Sequence, residues 1–248
     1  YYTNNLFSLT NLLNELKDLN KEINFIFSSS ATVYGNPEIV PITESEPIKK
    51  AESPYGNTKQ IGEEIIKDLV YSNSNFKAIS LRYFNPIGAH SSAMIGELPI
   101  GVPQNLVPFI TQTAIGLRKE LTVFGNDYPT SDGSCLRDYI HVVDLAKAHV
   151  KAINRLIDNK QEQPLETYNL GTGNGFSVME VIESFERVSG LKLNYEIVGR
   201  REGDVPQLFA ATDLAYQKMG WKAELGLDEM IDSAWCWEQK YRKHNTSK

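Results

Sequence analysis

The chain has 248 residues, 41% hydrophobic and 23% charged, with a formal net charge of −6 and two cysteines. That balance belongs to a globular protein of one large or two small domains with a sizeable core, and the acidic excess argues against nucleic acid or an anionic membrane as partner. Cys135 and Cys236 offer neither a disulfide framework nor a zinc spacing, and no run of about eighteen apolar residues exists, so the expected setting is the reducing cytoplasm. Tyr1-Tyr2-Thr3-Asn4-Asn5 reads neither as a signal peptide nor as a native start, so the numbering is expected to begin inside something longer.

Leu6, Phe7, Leu9, Leu12, Leu13, Leu16 and Leu19 recur at helical spacing and predict an amphipathic helix over Asn5 to Leu19 with a wide apolar face. Ile23 to Phe27 reads as a short buried strand, and Ser28-Ser29-Ser30-Ala31-Thr32-Val33-Tyr34-Gly35 sits at its exit. Ser53-Pro54 precedes a helix over Gly56 to Tyr71, with Ile61, Ile65, Ile66, Leu69 and Val70 on one stripe. A strand follows from Lys77 to Phe84. This alternation predicts right-handed crossovers in a parallel sheet, which bind ligands at the strands' carboxyl ends.

His90 to Pro103 is rich in Gly and Pro and is expected to be a loop, with the main boundary beyond Pro86. The predicted domains are 1–86 and 87–248, some segments of the second returning to the first. Further on the pattern predicts a helix over Val107 to Leu117, a strand over Leu121 to Phe124, and a helix N-capped by Asp144 after Arg137 to Val142. Tyr168 to Gly175 lacks the third glycine of a nucleotide fingerprint, because Phe176 stands there; it reads as a tight turn before a helix starting near Ser177. Val178 to Val188 is expected to be helix, Leu191 to Val198 strand, and Asp213 to Met219 and Asp228 to Arg242 helices, with Lys243 to Lys248 a frayed tail. Trp221, Trp235 and Trp237 read as packing residues, and His90, His141, His149 and His244 have no metal-ligand spacing.

On the predicted helix Tyr55 and Lys59 share one face. A phenol keeps its proton until about pH 10, so a tyrosine acting as a base near neutrality needs positive charge nearby, and an ammonium one turn away is placed to supply it. Of the 12 tyrosines only Tyr55 has Lys four residues on, and it follows a strand-terminal serine cluster.

Ser28 to Gly35, the Tyr55/Lys59 pair and Leu81-Arg82-Tyr83-Phe84-Asn85-Pro86-Ile87-Gly88-Ala89-His90 together resemble the extended short-chain dehydrogenase/reductase superfamily, and within it the UDP-glucose 4-epimerase family. The likeness runs nearly end to end. It implies an α/β fold, part of a Rossmann-type doubly wound parallel sheet plus a smaller α/β substrate-binding lobe. It also implies a preceding segment of roughly ninety residues with the Gly-rich fingerprint, without which the chain is expected neither to hold cofactor nor to turn over.

The reaction so implied interconverts UDP-glucose and UDP-galactose, possible N-acetylated sugars included, by NAD-dependent oxidation and re-reduction at C4 through a 4-keto sugar. The resemblance gives Tyr55 the role of base, Lys59 that of supporting the phenolate and holding the cofactor ribose, and Ser30 that of a hydrogen-bond relay. Asn5, Ser28 and Tyr83 match cofactor contacts. Arg137 and Arg201 match positions that pair with the diphosphate, Asp204 a uridine-ribose contact, and Thr122 and Phe124 the lining of the base. Phe84, Asn85, Asn105 and Leu106 complete the pocket, while Leu208 flanks the sugar's C2 substituent. A homodimer through helices 5–19 and 56–71 is the implied assembly. Two rival readings remain at this point. One is a nucleotide-sugar 4,6-dehydratase or another enzyme of the superfamily, the former needing an Asp-Glu pair where Ala31 and Thr32 stand. The other is a non-catalytic binding homologue or fragment.

Overall fold

The computed structural model describes residues 1–19 and 21–245. In chain order the elements are a π-helical turn, Thr3–Phe7, running into α1 (Ser8–Asp18); β1 (Ile23–Ser30) and a 3₁₀ turn, Ala31–Tyr34; α2 (Pro54–Ser72); β2 (Phe76–Tyr83); β3 (Asn85–Ile87); α3 (Leu106–Ala114); and β4 (Leu121–Phe124). There follow β5 (Leu136–Arg137), β6 (Tyr139–His141), α4 (Val142–Ile157), β7 (Leu165–Leu170), β8 (Phe176–Ser177), α5 (Val178–Ser189), β9 (Tyr195–Val198), β10 (Gln207–Leu208), α6 (Asp213–Met219) and α7 (Leu227–Asn245). They form two compact units, one of Tyr1–Phe84, Ala146–Gly173 and Ala210–Lys222, the other of Asn85–Leu145, Asn174–Phe209 and Ala223–Lys248.

The first unit is built on a parallel sheet in the order β1-β2-β7. Leu9 and Leu13 of α1, Ile66 and Val70 of α2, and Phe76 and Ala78 of β2 make one core, as their helical and strand periods require. Phe7, Leu12 and Leu19 on the other side of the first helix are exposed. α2 starts at Pro54, two residues before the expected Gly56, because Ser53 caps it by accepting from Gly56 N at 3.1 Å and Pro54 fills the first helical position. β1 departs from expectation. It takes in Ser28 to Ser30, and Ile23 to Phe27 are only half-buried, because among the described residues β1 pairs with β2 alone and is an edge.

The second unit holds two parallel pairs, β3–β6 and β4–β9, and a small sheet in the order β10-β5-β8. Its core joins Val107 and Ile110 of α3, Val181, Ile182 and Phe185 of α5, and Met230, Ile231 and Trp235 of α7 to Leu121 and Val123 of β4. A capping box starts α5, with Ser177 accepting from Glu180 N and the Glu180 carboxylate from Ser177 N.

Four further expectations need correction. The predicted strand over 191–198 begins only at Tyr195, where the register with β4 starts, Asn194 contributing just its carbonyl, which accepts from Leu121 N at 2.9 Å. Helix α3 ends at Ala114, three residues early, where Leu117 N turns back to the Gln112 carbonyl at 2.9 Å. Asp144 is not an N-cap: α4 begins at Val142, His141 Nδ1 accepts from Val143 N at 3.0 Å, and the buried Asp144 carboxylate takes Glu224 N and Leu225 N, each at 2.8 Å. The tail expected from Lys243 is helical through Asn245, and Thr246 to Lys248 lie outside the described residues. Trp221, Trp235 and Trp237 are buried as packing residues.

Candidate active site

The serine tail of β1 and the first turns of α2 lie together in the first unit. Lys59 Nζ donates to the Ser28 carbonyl at 2.8 Å and stands 5.6 Å from the centroid of the Tyr55 ring. The Ser30 hydroxyl accepts from Thr32 N at 3.2 Å and from Thr32 Oγ1 at 3.0 Å, and it lies near enough to the Tyr55 phenol to favour its ionisation. Tyr1 packs edge-on against Tyr55 with ring centroids 5.6 Å apart.

The electrostatic balance differs from the simple expectation that Lys59 lowers the Tyr55 pKa. Burial raises the phenol, Ser30 opposes it, and Tyr1 adds to the rise, so the net direction is upward. Burial likewise lowers the Lys59 ammonium. The reason is geometric: Lys59 is tied to a carbonyl and sits by ring carbons instead of bonding the phenol oxygen.

Tyr83, in register with Ser30, has its hydroxyl 2.9 Å from His149 Nε2; burial raises it and the Ser28 hydroxyl opposes. Asn5 Nδ2 donates to Thr58 Oγ1 at 2.9 Å. An open cleft of about 300 Å³ is lined by the polar Asn4, Asn5, Ser8, Thr58 and Lys59 together with the apolar Leu9, Leu12 and Phe27. Its amide and ammonium donors, with the exposed Ser28 beside them, suit the hydroxyls of a ribose, so the residues present fit the NAD that the resemblance implies. Phe84 is buried at the end of β2, its N–H on the Leu170 carbonyl at 3.2 Å.

The second unit gathers most of the nucleotide candidates. Asp204 stands between two arginines, 2.8 Å from Arg201 Nη2 and 3.6 Å from Arg137 Nη2. Arg137 Nη1 also donates to the Leu136 and Val205 carbonyls at 2.9 and 2.8 Å. Leu208 pairs in register with Arg137, and the Arg201 guanidinium lies 5.7 Å from the centroid of Phe124, two residues along β4 from Thr122. Asn85 Nδ2 donates to the Asp138 carbonyl, next to Arg137, at 3.0 Å. Asn105 and Leu106 open α3, and Asn105 is engaged elsewhere, its Nδ2 on Glu97 Oε1 at 2.7 Å. Burial raises the Glu97 carboxyl and Asn105 opposes that rise.

The sequence reading passed over a buried polar network behind the serines. Arg82 forks onto Glu63, Nε to Oε1 at 2.9 Å and Nη2 to Oε2 at 2.6 Å, and its Nη1 donates to Tyr34 OH at 2.9 Å. The signal was present: an arginine inside the apolar run Ile79 to Phe84 needs a buried partner, and Glu63 follows Tyr55 and Lys59 at the next helical turn.

Residues 1–234 match the family model described as GDP-mannose 4,6 dehydratase. A Drosophila melanogaster protein named UDP-glucose 4-epimerase is 50% identical over 240 residues, which are 97% of this chain and 68% of that relative. The crystal structure of UDP-glucose-4-epimerase from Stenotrophomonas maltophila, with bound NAD and formylated UDP-arabinopyranose, matches with a TM-score of 0.93 at 44% identity over 98% of this chain and 71% of that one. The corresponding enzyme of Bifidobacterium longum in complex with NAD⁺ and UDP gives 0.90 at 45% identity, with coverages of 98% and 71%. The chain thus spans about two thirds of the length of its curated relatives. With this identity across both units, the chain belongs to the UDP-glucose 4-epimerases of the GDP-mannose 4,6 dehydratase family.

Proposed function

We propose that this chain is part of an isomerase that, complete with the segment the resemblance implies, interconverts UDP-glucose and UDP-galactose. The observation that carries the reading is Tyr55 on the first turn of α2 with Ser30 beside its phenol and Lys59 one turn behind. As the phenolate, Tyr55 takes the proton of the sugar 4-hydroxyl and later returns it, and Ser30 lies beside the phenol oxygen through both transfers. Lys59 contributes positive charge beside the ring and, with Asn5, Ser28 and Tyr83, holds the cofactor. When bound, NAD supplies the hydride acceptor and donor for sugar C4.

The first unit is the cofactor-binding part and the second grips the nucleotide. Arg137 and Arg201 exchange Asp204 for diphosphate oxygens, to which guanidinium forks are suited, and Asp204 is freed for the uridine ribose. Phe124 and Thr122 line the base, while Phe84, Asn85, Asn105 and Leu106 close around the sugar and diphosphate. Holding the nucleotide and leaving the sugar free to turn is what epimerisation demands. A homodimer through the first helical segment and α2 belongs to the same reading, supported by exposed Phe7, Leu12, Leu19 and Tyr71. The thiol-poor sequence supports a cytoplasmic setting, and no described helix is long and apolar enough to cross a membrane.

The dehydratase reading lacks its chemistry here: Ala31 is buried and the Thr32 hydroxyl is bonded to Ser30, with no acid in either place. The test is conversion of UDP-galactose to UDP-glucose by the complete purified protein supplied with NAD. Tyr55→Phe is expected to lower kcat by at least about 10²–10⁴-fold with the unfolding transition unchanged. A Tyr55→Phe variant within a few-fold of wild type overturns the assignment.

A further inference from the structure

Three successive turns of α2 hold three successive serines of β1. Tyr55 lies beside Ser30, Lys59 donates to the Ser28 carbonyl at 2.8 Å, and Glu63 Oε1 accepts from the Ser29 hydroxyl at 2.5 Å. Positions i, i+4 and i+8 form one helical stripe, so the third contact fixes how far α2 is rotated and slid against the strand carrying the other two. Nothing in the acid–base chemistry calls for Glu63.

The third contact is also the best anchored. Glu63 and Arg82 have side chains only 11% and 7% exposed and form a two-pronged pair. Arg82 is the register partner of Ser29 on β2, so one carboxylate ties the helix to both adjacent strands. The guanidinium packs 4.8 Å from the centroid of the fully buried Tyr34 ring and donates to its hydroxyl. Tyr34 OH donates to Asn169 Oδ1 on β7 at 2.7 Å, and Asn169 is fixed in turn by the Ile42 carbonyl and Glu44 Oε1. The chain of bonds therefore runs from α2 through β1 and β2 to β7. A side chain in such a network has one rotamer, which a lone exposed ion pair does not impose.

We propose that Glu63 and Arg82 are positioning residues for the acid–base step, acting through Ser29 to hold the end of β1 so that the Ser30 hydroxyl stays beside the Tyr55 phenol. The inference rests on the reading of Tyr55 as the proton carrier. Misplacement by about 1 Å of groups in a reacting array costs up to about 10²-fold in rate, so a network remote from the reacting atoms has this leverage.

Ser29→Ala is the cleanest test. It removes the link to β1 while Glu63 Oε1 keeps its bond from Arg82 Nε, so no buried charge loses its partner. Glu63→Gln is the stronger variant, and Glu63→Asp asks whether a carboxylate on a shorter arm restores the effect. The expected result is a kcat between about ten and a hundred-fold lower for Ser29→Ala with KM within two-fold, at an unchanged unfolding midpoint. A second readout needs no turnover: the Tyr55 phenol, followed by carbon NMR of ring-labelled tyrosine and assigned with Tyr55→Phe, titrates higher in Ser29→Ala because the opposing Ser30 hydroxyl is loosened. Normal kcat with an unmoved titration overturns the proposal, as does a kcat loss that tracks only the unfolded fraction. Failure of the epimerase reading is separable, because wild type would then show no turnover while the titration still decides the positioning role.

Discussion

Replacing Glu166 by Gln tests a fully engaged buried carboxylate of the first unit. Glu166 Oε2 accepts from Arg155 Nε at 2.7 Å and from Tyr168 OH at 2.8 Å, and Oε1 from Arg155 Nη2 at 2.9 Å and Glu162 N at 2.8 Å. The two charged side chains are 7% and 9% exposed. A glutamine amide keeps one acceptor oxygen and turns an NH₂ toward the donors on the other side, so two of the four lose their acceptor and Arg155 keeps its charge uncompensated. Breaking a buried pair from one side costs about 3–5 kcal/mol, against about 0–1 kcal/mol for a pair on the surface. Because Arg155 Nη1 also holds the Lys218 carbonyl at 2.8 Å, the loss loosens α4, β7 and α6 together. In a chain of this length each kcal/mol moves Tm by about 2–4 °C, so the midpoint is expected to fall by at least about 6 °C. Burial pushes the Glu166 carboxyl up, but the Arg155 fork, the Glu162 amide and the Tyr168 hydroxyl outweigh it and hold it below the usual range. Its folded pKa being depressed, the stability it contributes is present above the unfolded carboxylate pKa, near 4.3, and is lost as pH falls through the folded value. Urea titrations at neutral and acidic pH measure both effects. A loss under about 1 kcal/mol at neutral pH, or an acid limb as steep in Glu166→Gln as in wild type, refutes the reasoning.

Gly62→Ala sets helix propensity against space: the gain is about 1 kcal/mol, but a Cβ there meets Phe27 Cζ at 2.7 Å and Leu9 Cδ2 at 3.3 Å, and overpacking costs about 1–3 kcal/mol. Net destabilisation is expected in urea, and a stabilised variant would show that the Phe27 ring swings clear. Ser30→Ala removes the group that opposes burial at Tyr55, so the phenol should titrate higher in ring-labelled protein; an unmoved titration contradicts the contact. For Leu208, proposed to flank the sugar's C2 substituent, UDP-N-acetylglucosamine turnover should be measurable but below that of UDP-glucose. Leu208→Tyr should cut the ratio of their kcat/KM values by roughly 10–200-fold, and an unchanged ratio places the gate elsewhere.

How much of this was legible depended on whether each signal was local. Tyr55 and Lys59 could be placed on one face because Ser53-Pro54 fixes where α2 starts, and the start fixes the phase of every later residue. The same phase brings Glu63 under Ser29, yet its partner Arg82 lies on another element 19 residues on, and only the pairing of β1 with β2 brings them together. Asp144 failed for the same reason. Its local pattern is that of an N-cap, but its carboxylate serves amides 80 and 81 residues away, while His141 caps the helix. Leu191-Lys192-Leu193-Asn194 alternates like a strand, yet what the alternation buries is Leu193, packed into the α5 and α7 core, and pairing waits until Tyr195.

The sign of the Tyr55 shift was the least legible quantity, and its cause is general. Spacing along a helix gives the direction in which an ammonium lies, whereas a pKa depends on whether that ammonium reaches the oxygen and on how much water both groups have lost. Lys59 spends its bond on the Ser28 carbonyl, and burial moves the two groups toward each other, the phenol up and the ammonium down. Of the influences on the phenol, Ser30 is the one that lowers it, and Ser30 lies on the strand end that Ser29 ties to Glu63 and Arg82. Control of the acid–base residue thus passes from the lysine that the sequence displays to a serine on that tied strand end. Substitutions in the Ser29–Glu63–Arg82 network should therefore alter the Tyr55 titration as surely as substitutions of Lys59.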